Sequence, residues 1–172
     1  MLLDVLQDRK VPVFGIGKIH DIYNGRGVDE YVTTKSNADG MEKLTTATRE
    51  RQNGLIFSNL VDFDMLYGHR KDVEGFARSL EEFDAALADY LPLLGERDLL
   101  LLTADHGCDP DLRWETTDHS REYVPIVAYT PTQKVGRNLG TRATLADMGQ
   151  TVAENFGGTI LHGKSFKEQL SS

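Results

Sequence analysis

The chain has 172 residues, with 19 Lys+Arg against 27 Asp+Glu for a formal net charge of −8. That acidic balance is a poor match to nucleic-acid phosphates, the single Cys108 excludes an internal disulfide, and no apolar run approaches the about 18 residues of a membrane-spanning helix. The length fits one domain over residues 1–172, and the early Asp4 argues against a signal peptide, so a cytoplasmic protein is expected.

Along the chain, short apolar runs alternate with segments of helical period, the pattern of a layered α/β sheet. Strands are expected over 11–17, 55–63, 99–104 and 124–130, because each run is rich in Leu, Ile, Val or Phe and mostly lacks alternation, as strands covered on both faces do. A helix is expected over 38–52, where Gly40 and several threonines weaken the signal at its start. The longest helical pattern covers 71–94. There Val73, Phe76, Ala77, Leu80, Phe83, Leu87, Tyr90 and Leu91 form a stripe toward a sheet, and the acidic Glu81, Glu82, Asp84 and Asp89 stay in water. A last helix fits 145–156, with Thr144 as N-cap and Gly157-Gly158 as the stop. The polar loop over 109–119 holds Trp114, the only tryptophan.

Metal-ligand chemistry gathers where the strands end. The run 55–63 leads into Asp64 and His69, the run 99–104 leads into Asp105 and His106, and His119 stands just before the next strand. Mixed imidazole and carboxylate donors suit Zn or Mn better than Mg or Ca. A lone Asp–His pair is more often an ordinary loop hydrogen bond, but three clusters at one edge of a parallel sheet point to a metal site. Two metals clamping a phosphoryl displacement need roughly six or seven ligands. The chain offers five, short by at least one carboxylate. Asp62, two residues before Asp64, would share its face in a strand and support it from behind. Cys108 reads as a space-filling residue, His20 as a loop residue near the pocket mouth, and His162 as a surface histidine. Arg121 and Glu122 would organise the loop at His119.

A family resemblance rests on ordered blocks over essentially the whole chain. These are Gly17-Lys18-Ile19 with Asp21-Ile22-Tyr23, Thr34-Lys35-Ser36-Asn37-Ala38-Asp39-Gly40-Met41, Asn59-Leu60-Val61-Asp62-Phe63-Asp64 and Tyr67-Gly68-His69-Arg70. Further on come Thr103-Ala104-Asp105-His106-Gly107-Cys108-Asp109-Pro110, Thr117-Asp118-His119-Ser120-Arg121 and Gly163-Lys164-Ser165-Phe166. In this the chain resembles the phosphopentomutases of the alkaline phosphatase superfamily. The resemblance implies part of a doubly wound, mostly parallel sheet with helices on both faces. It implies an isomerase that moves phosphate between C1 and C5 of ribose or deoxyribose, using two Mn²⁺ ions and a phosphorylated Thr. Carried over by motif, Asp64, His69 and His119 hold one metal, Asp105 and His106 belong to the other, and Lys18 lies near the sugar phosphate.

The resemblance covers only the C-terminal core segment. The N-terminal strand, with its metal-binding Asp and phosphate-carrying Thr, and the cap domain have no counterpart here; Thr33, Thr34 and Thr103 do not match that motif. Without the nucleophile the phosphate has nowhere to reside between substrates. The chain alone is therefore expected to be inactive, retaining one Mn²⁺ at most. A sheet lacking its central strand exposes an edge that suits self-association or an N-terminal partner segment. Two other functions share parts of this pattern: a non-catalytic metal-binding or assembly module and, fitting less well, a phosphoglycerate mutase or phosphohydrolase of the same superfamily. The loop 109–118 is about two residues longer than the family pattern, which bears on the reach of His119.

Overall fold

A computed structural model describes residues 1–111, 113 and 115–170. The elements run α1 (Leu2–Asp8), β1 (Val13–Ile16), α2 (Ile19–Ile22), β2 (Glu30–Val32), α3 (Asn37–Glu50), β3 (Leu55–Ser58), a π-helical turn (Phe63–Gly68), α4 (Val73–Tyr90), β4 (Leu100–Thr103), β5 (Ile126–Tyr129) and α5 (Ala146–Asn155). Three strands form a parallel sheet in the order β2-β1-β3, with Ile16 opposite both Val32 and Ser58. The other two form a separate antiparallel pair, Leu100 opposite Tyr129 and Thr103 opposite Ile126.

The antiparallel pair corrects the expectation that all the site clusters lie at one edge of a parallel sheet. Between β4 and β5 the described residues contain no crossover helix, and a parallel return needs one. The chain turns back directly, so the start of β5 lies beside the end of β4. The strands are also shorter than their apolar runs. In particular, the run 55–63 leaves extended structure after Ser58 and passes into the π-helical turn, so Asp62 is not in a strand with Asp64.

Helix α1 and strand β2, like α2 and the π-helical turn, lie outside the expected elements. Helix α1 has only seven residues, too short for periodicity to register, yet Leu3 and Leu6 are 1% and 0% exposed. They pack with Val13 on one face of β1, bordered by Val11, Leu55, Phe57, Val152 and Phe156. Strand β2 is a three-residue edge with Glu30 and Tyr31 in water. Its Glu30 pairs with Arg51, whose guanidinium lies 3.8 Å from the centre of the Phe14 ring.

Ser36 caps α3 by accepting from Asp39 N at 3.2 Å. Thr144 lies one position before the N-cap of α5; its hydroxyl accepts from Ala146 N at 3.3 Å. The stripe of α4 packs chiefly on the π-helical turn and on α3 rather than on a sheet. Phe63 meets Phe76 and Phe83 with ring centres 6.0 and 6.2 Å apart, and Tyr90 hydroxyl meets Thr48 at 2.8 Å. Val73 and Leu80, at one edge of the stripe, remain about half exposed. The closing segment is pinned by Asp147, which accepts from Arg142 Nε at 2.9 Å and from Lys164 N at 2.8 Å.

Because Leu6 is fully enclosed, Leu6→Ala should destabilise the fold by about 2–5 kcal/mol. Urea unfolding followed by circular dichroism measures this; an unchanged midpoint would remove α1 from the core.

Candidate metal centre

Strands β1 and β3 run parallel and in register, so both deliver their following residues to the same edge. Gly17 leaves β1 at φ +80°, where a side chain would lie 2.6 Å from the carbonyl of Asn59, so only glycine lets the two exits cross so closely. Lys18 follows it. On the β3 side, Asn37 and Asp62 exchange bonds: Asn37 N donates to the Asp62 carboxylate at 2.6 Å and Asp62 N donates to Asn37 Oδ1 at 3.0 Å. Asp62 therefore anchors the start of the π-helical turn and does not back Asp64. Within that turn His69 N donates to the Asp64 carbonyl five residues back, at 3.0 Å. The wider turn brings Asp64 and His69 onto the same side.

His119 arrives from the other sheet. The β4–β5 ladder continues past the strands as a bridge between Gly107 and Ser120, and Asp109 N donates to Ser120 Oγ at 2.9 Å. This clamp holds Asp105-His106 and His119 side by side. The Thr117 carbonyl accepts from His69 Nδ1, linking the loop back to the π-helical turn.

The outcome is a compact donor set. One ligand atom from each of Asp64, His69 and His119 lies within 4.8 Å of the other two. Asp64 Oδ1 is 3.2 Å from His69 Nε2 and 3.4 Å from His119 Nε2. A backbone carbonyl only accepts, so Nδ1 of His69 donates to Thr117 and Nε2 is the ring nitrogen that faces the carboxylate. Asp64 Oδ1 is itself buried and has no hydrogen-bond partner. When the imidazoles are in the unprotonated form that ligates metals, nitrogen and carboxylate oxygen repel at such range, and a cation among them removes the conflict. Donors bonded to one ion at ~2.1 Å in tetrahedral geometry stand about 3.4 Å apart, close to the spacings found. The three residues fit a divalent transition metal.

The remaining predicted residues are placed differently. His106 stacks on His119 with ring centres 3.5 Å apart, and His119 is 4.9 Å from the His69 ring, giving a row of three imidazoles. Asp105 is not drawn in; its side chain is 75% exposed and its carboxylate is 3.7 Å from His106 Nε2. Asp105 and His106 thus border the first set without closing a second. Lys18 reaches the π-helical turn, its ammonium 2.8 Å from the Met65 sulfur. His20 stacks on Tyr31 away from the set, and His162 is exposed. Trp114 lies outside the described residues. Cys108 sits beside Asp64, and burial, followed by the Asp64 carboxylate, pushes its thiol up to about 11. Arg121 and Glu122, with Lys134 and Arg137, line a cavity of about 780 Å³ that also borders Asp105 and His106. The Thr117 carbonyl and Met65 had no signal in the sequence as site residues, since neither belongs to a ligand-type cluster.

A family model described as the metalloenzyme superfamily matches residues 14–159. Over 99% of its length the chain is 51% identical to the phosphopentomutase of Desulfitobacterium hafniense and 52% identical to that of Symbiobacterium thermophilum. It spans 44% and 43% of those relatives' lengths. Among solved structures, the Leishmania mexicana phosphoglycerate mutase studied at low cobalt concentration aligns with TM-score 0.69 at 17% identity, covering 92% of this chain and 37% of that one. A Pyrococcus horikoshii protein aligns with TM-score 0.59 at 16% identity, over 73% and 34%. At these identities the structural likeness concerns the fold, that of an α/β core with a parallel sheet.

The donor set predicts that the chain binds one divalent transition metal, for which Mn²⁺ serves as the probe in calorimetry, and that His119→Ala weakens binding at least about tenfold. Equal affinity in the variant would exclude His119 as a ligand.

Proposed function

We infer function from the premise that the chain belongs to the metalloenzyme superfamily, and propose that it is the metal-binding core segment of a phosphopentomutase. The reaction is the transfer of a phosphate between C1 and C5 of ribose or deoxyribose. The observation that carries this reading is the joining of Asp64, His69 and His119 across two sheets, with Asp105-His106 alongside and the Lys18 ammonium against Met65 of the π-helical turn. Sequence identity of about half to the phosphopentomutases supports the sugar phosphate over a phosphoglycerate, for which only the fold speaks.

In this reading Asp64, His69 and His119 hold one Mn²⁺, and Asp105 and His106 contribute to a second that needs further ligands. A bound divalent ion supplies Lewis-acid stabilisation to phosphoryl oxygens. Lys18 offers an ammonium to the substrate phosphate, exchanging its contact with Met65 for a charge-assisted hydrogen bond. The cavity of about 780 Å³ beside Asp105 and His106 is large enough for a pentose phosphate. The free edges of β3 and β4 would pair with a further strand from a longer polypeptide or a second copy. The phosphate-carrying threonine belongs to such added polypeptide, so the 172-residue chain binds the sugar phosphate and does not turn it over.

Phosphorus NMR of ribose 5-phosphate with the Mn²⁺-loaded chain tests the reading. We expect paramagnetic broadening that Lys18→Ala reduces several-fold and that 3-phosphoglycerate does not match. Equal broadening of both compounds would overturn the substrate assignment, and no broadening of either would favour a non-catalytic metal-binding module. Conversion of ribose 1-phosphate by the chain alone would overturn the placement of the nucleophile.

A further inference from the structure

We propose that Thr116 is a positioning residue of the metal centre: its hydroxyl sets the peptide group between Thr117 and Asp118, and that peptide group aims the His69 ring at Asp64. The proposal rests on the metal centre described above. Its starting point is a pair of hydrogen bonds that end on one peptide unit. Asp118 N donates to Thr116 Oγ1 at 3.0 Å, and the Thr117 carbonyl accepts from His69 Nδ1. The Asp118 nitrogen and the Thr117 carbonyl are joined by the same C–N bond. In a trans peptide group the N–H and C=O are coplanar and point in opposite directions, so holding the N–H end sets the direction of the oxygen. The described residues contain no cis peptide bond.

The imidazole is in turn held at both of its nitrogens. Nδ1 meets the Thr117 oxygen, and Nε2 lies 3.2 Å from Asp64 Oδ1. The ring is rigid, so a carbonyl that swings aside takes Nε2 with it. Two residues after Thr117 comes His119, whose own Nε2 is 3.4 Å from the same carboxylate oxygen. One short segment therefore acts on both imidazoles, supplying His119 directly and steering His69 through the peptide. An N–H bonded to the hydroxyl also polarises the peptide group and makes its oxygen a stronger acceptor for Nδ1. Thr116 is exposed, so its hydroxyl adds little to the core and its effect falls on the orientation of the ring. Supporting hydrogen bonds of this kind on a ligating histidine typically change metal affinity by about 10–100-fold.

Two measurements on the 172-residue chain test this. The first is Mn²⁺ titration, with free ion counted by electron paramagnetic resonance. The second is nitrogen NMR of the metal-free chain, at a pH where imidazoles are neutral, to read which ring nitrogen of His69 carries the proton. Thr116→Val keeps the branched shape and removes the acceptor. It should weaken Mn²⁺ binding about tenfold and abolish the preference of the His69 proton for Nδ1. Thr116→Ser keeps a hydroxyl and should stay within about threefold of the original chain, with the proton still on Nδ1. Thermal unfolding without metal establishes that each variant is folded, and Thr116→Ala replaces a valine variant that is not. Unchanged affinity in Thr116→Val overturns the proposal, as does a serine variant as weak as valine. Weaker binding with the His69 proton still on Nδ1 overturns it too, because the effect then bypasses the ring. Failure of the unaltered chain to bind Mn²⁺ overturns the centre itself, whereas binding that does not depend on the Thr116 hydroxyl overturns this proposal alone.

Discussion

The arrangement turns on one carboxylate oxygen. Asp64 Oδ1 is buried, unpaired by hydrogen bonds, and faced by nitrogen atoms from two histidines that reach it from different sheets. Buried polar atoms without partners are costly, so their persistence in a folded chain calls for a reason. Here the surrounding backbone enforces the approach: the π-helical turn aligns Asp64 with His69, and the Thr117 carbonyl turns the His69 ring so that its Nε2 points inward. A positive ion is the species for which this geometry is favourable.

The molecule separates what holds it together from what meets a ligand. Its fully enclosed apolar residues, among them Leu3, Leu6, Val13, Ile16 and Phe166, gather around α1, β1 and the C-terminal segment. The strands that lead to the metal ligands are only half-buried: β3 along its whole length, β4 except at its exposed end. Two strands alone make a marginal sheet in water. The β4–β5 pair is steadied at its site end by the contacts among the loops, with Ser120, Thr117 and Cys108 as the linking points.

Much of the site could be read from residue types because ligand chemistry is local. Asp64 with His69, and Asp105 with His106, fall directly after apolar runs, and loops at strand ends are where such groups meet ligands. Direction and spacing were harder. The antiparallel return of β5 depends on how the loop 104–125 folds, and no apolar period reports that. The π-helical turn was hidden because its first residue, Phe63, closes the run 55–63 and packs on α4 as a strand residue would pack on a helix. Helix α1 escaped notice because seven residues give a periodicity too brief to distinguish from chance. Cys108 looked like filler, and its sulfur packs against Gly68, where a side chain has no room.

That the two sheets share no ladder among the described residues has a thermodynamic corollary. Wherever an ion is held by Asp64 and His69 on one side and His119 on the other, its binding energy includes the work of keeping those sides together. Any polypeptide that pairs with the open edges of β3 and β4 performs part of the same work. The two events are then linked, and linkage is reciprocal: the factor by which the added strand tightens the ion is the factor by which the ion tightens the strand. Assembly and metal loading become two readings of a single coupling energy, located in the seam that the imidazole row spans.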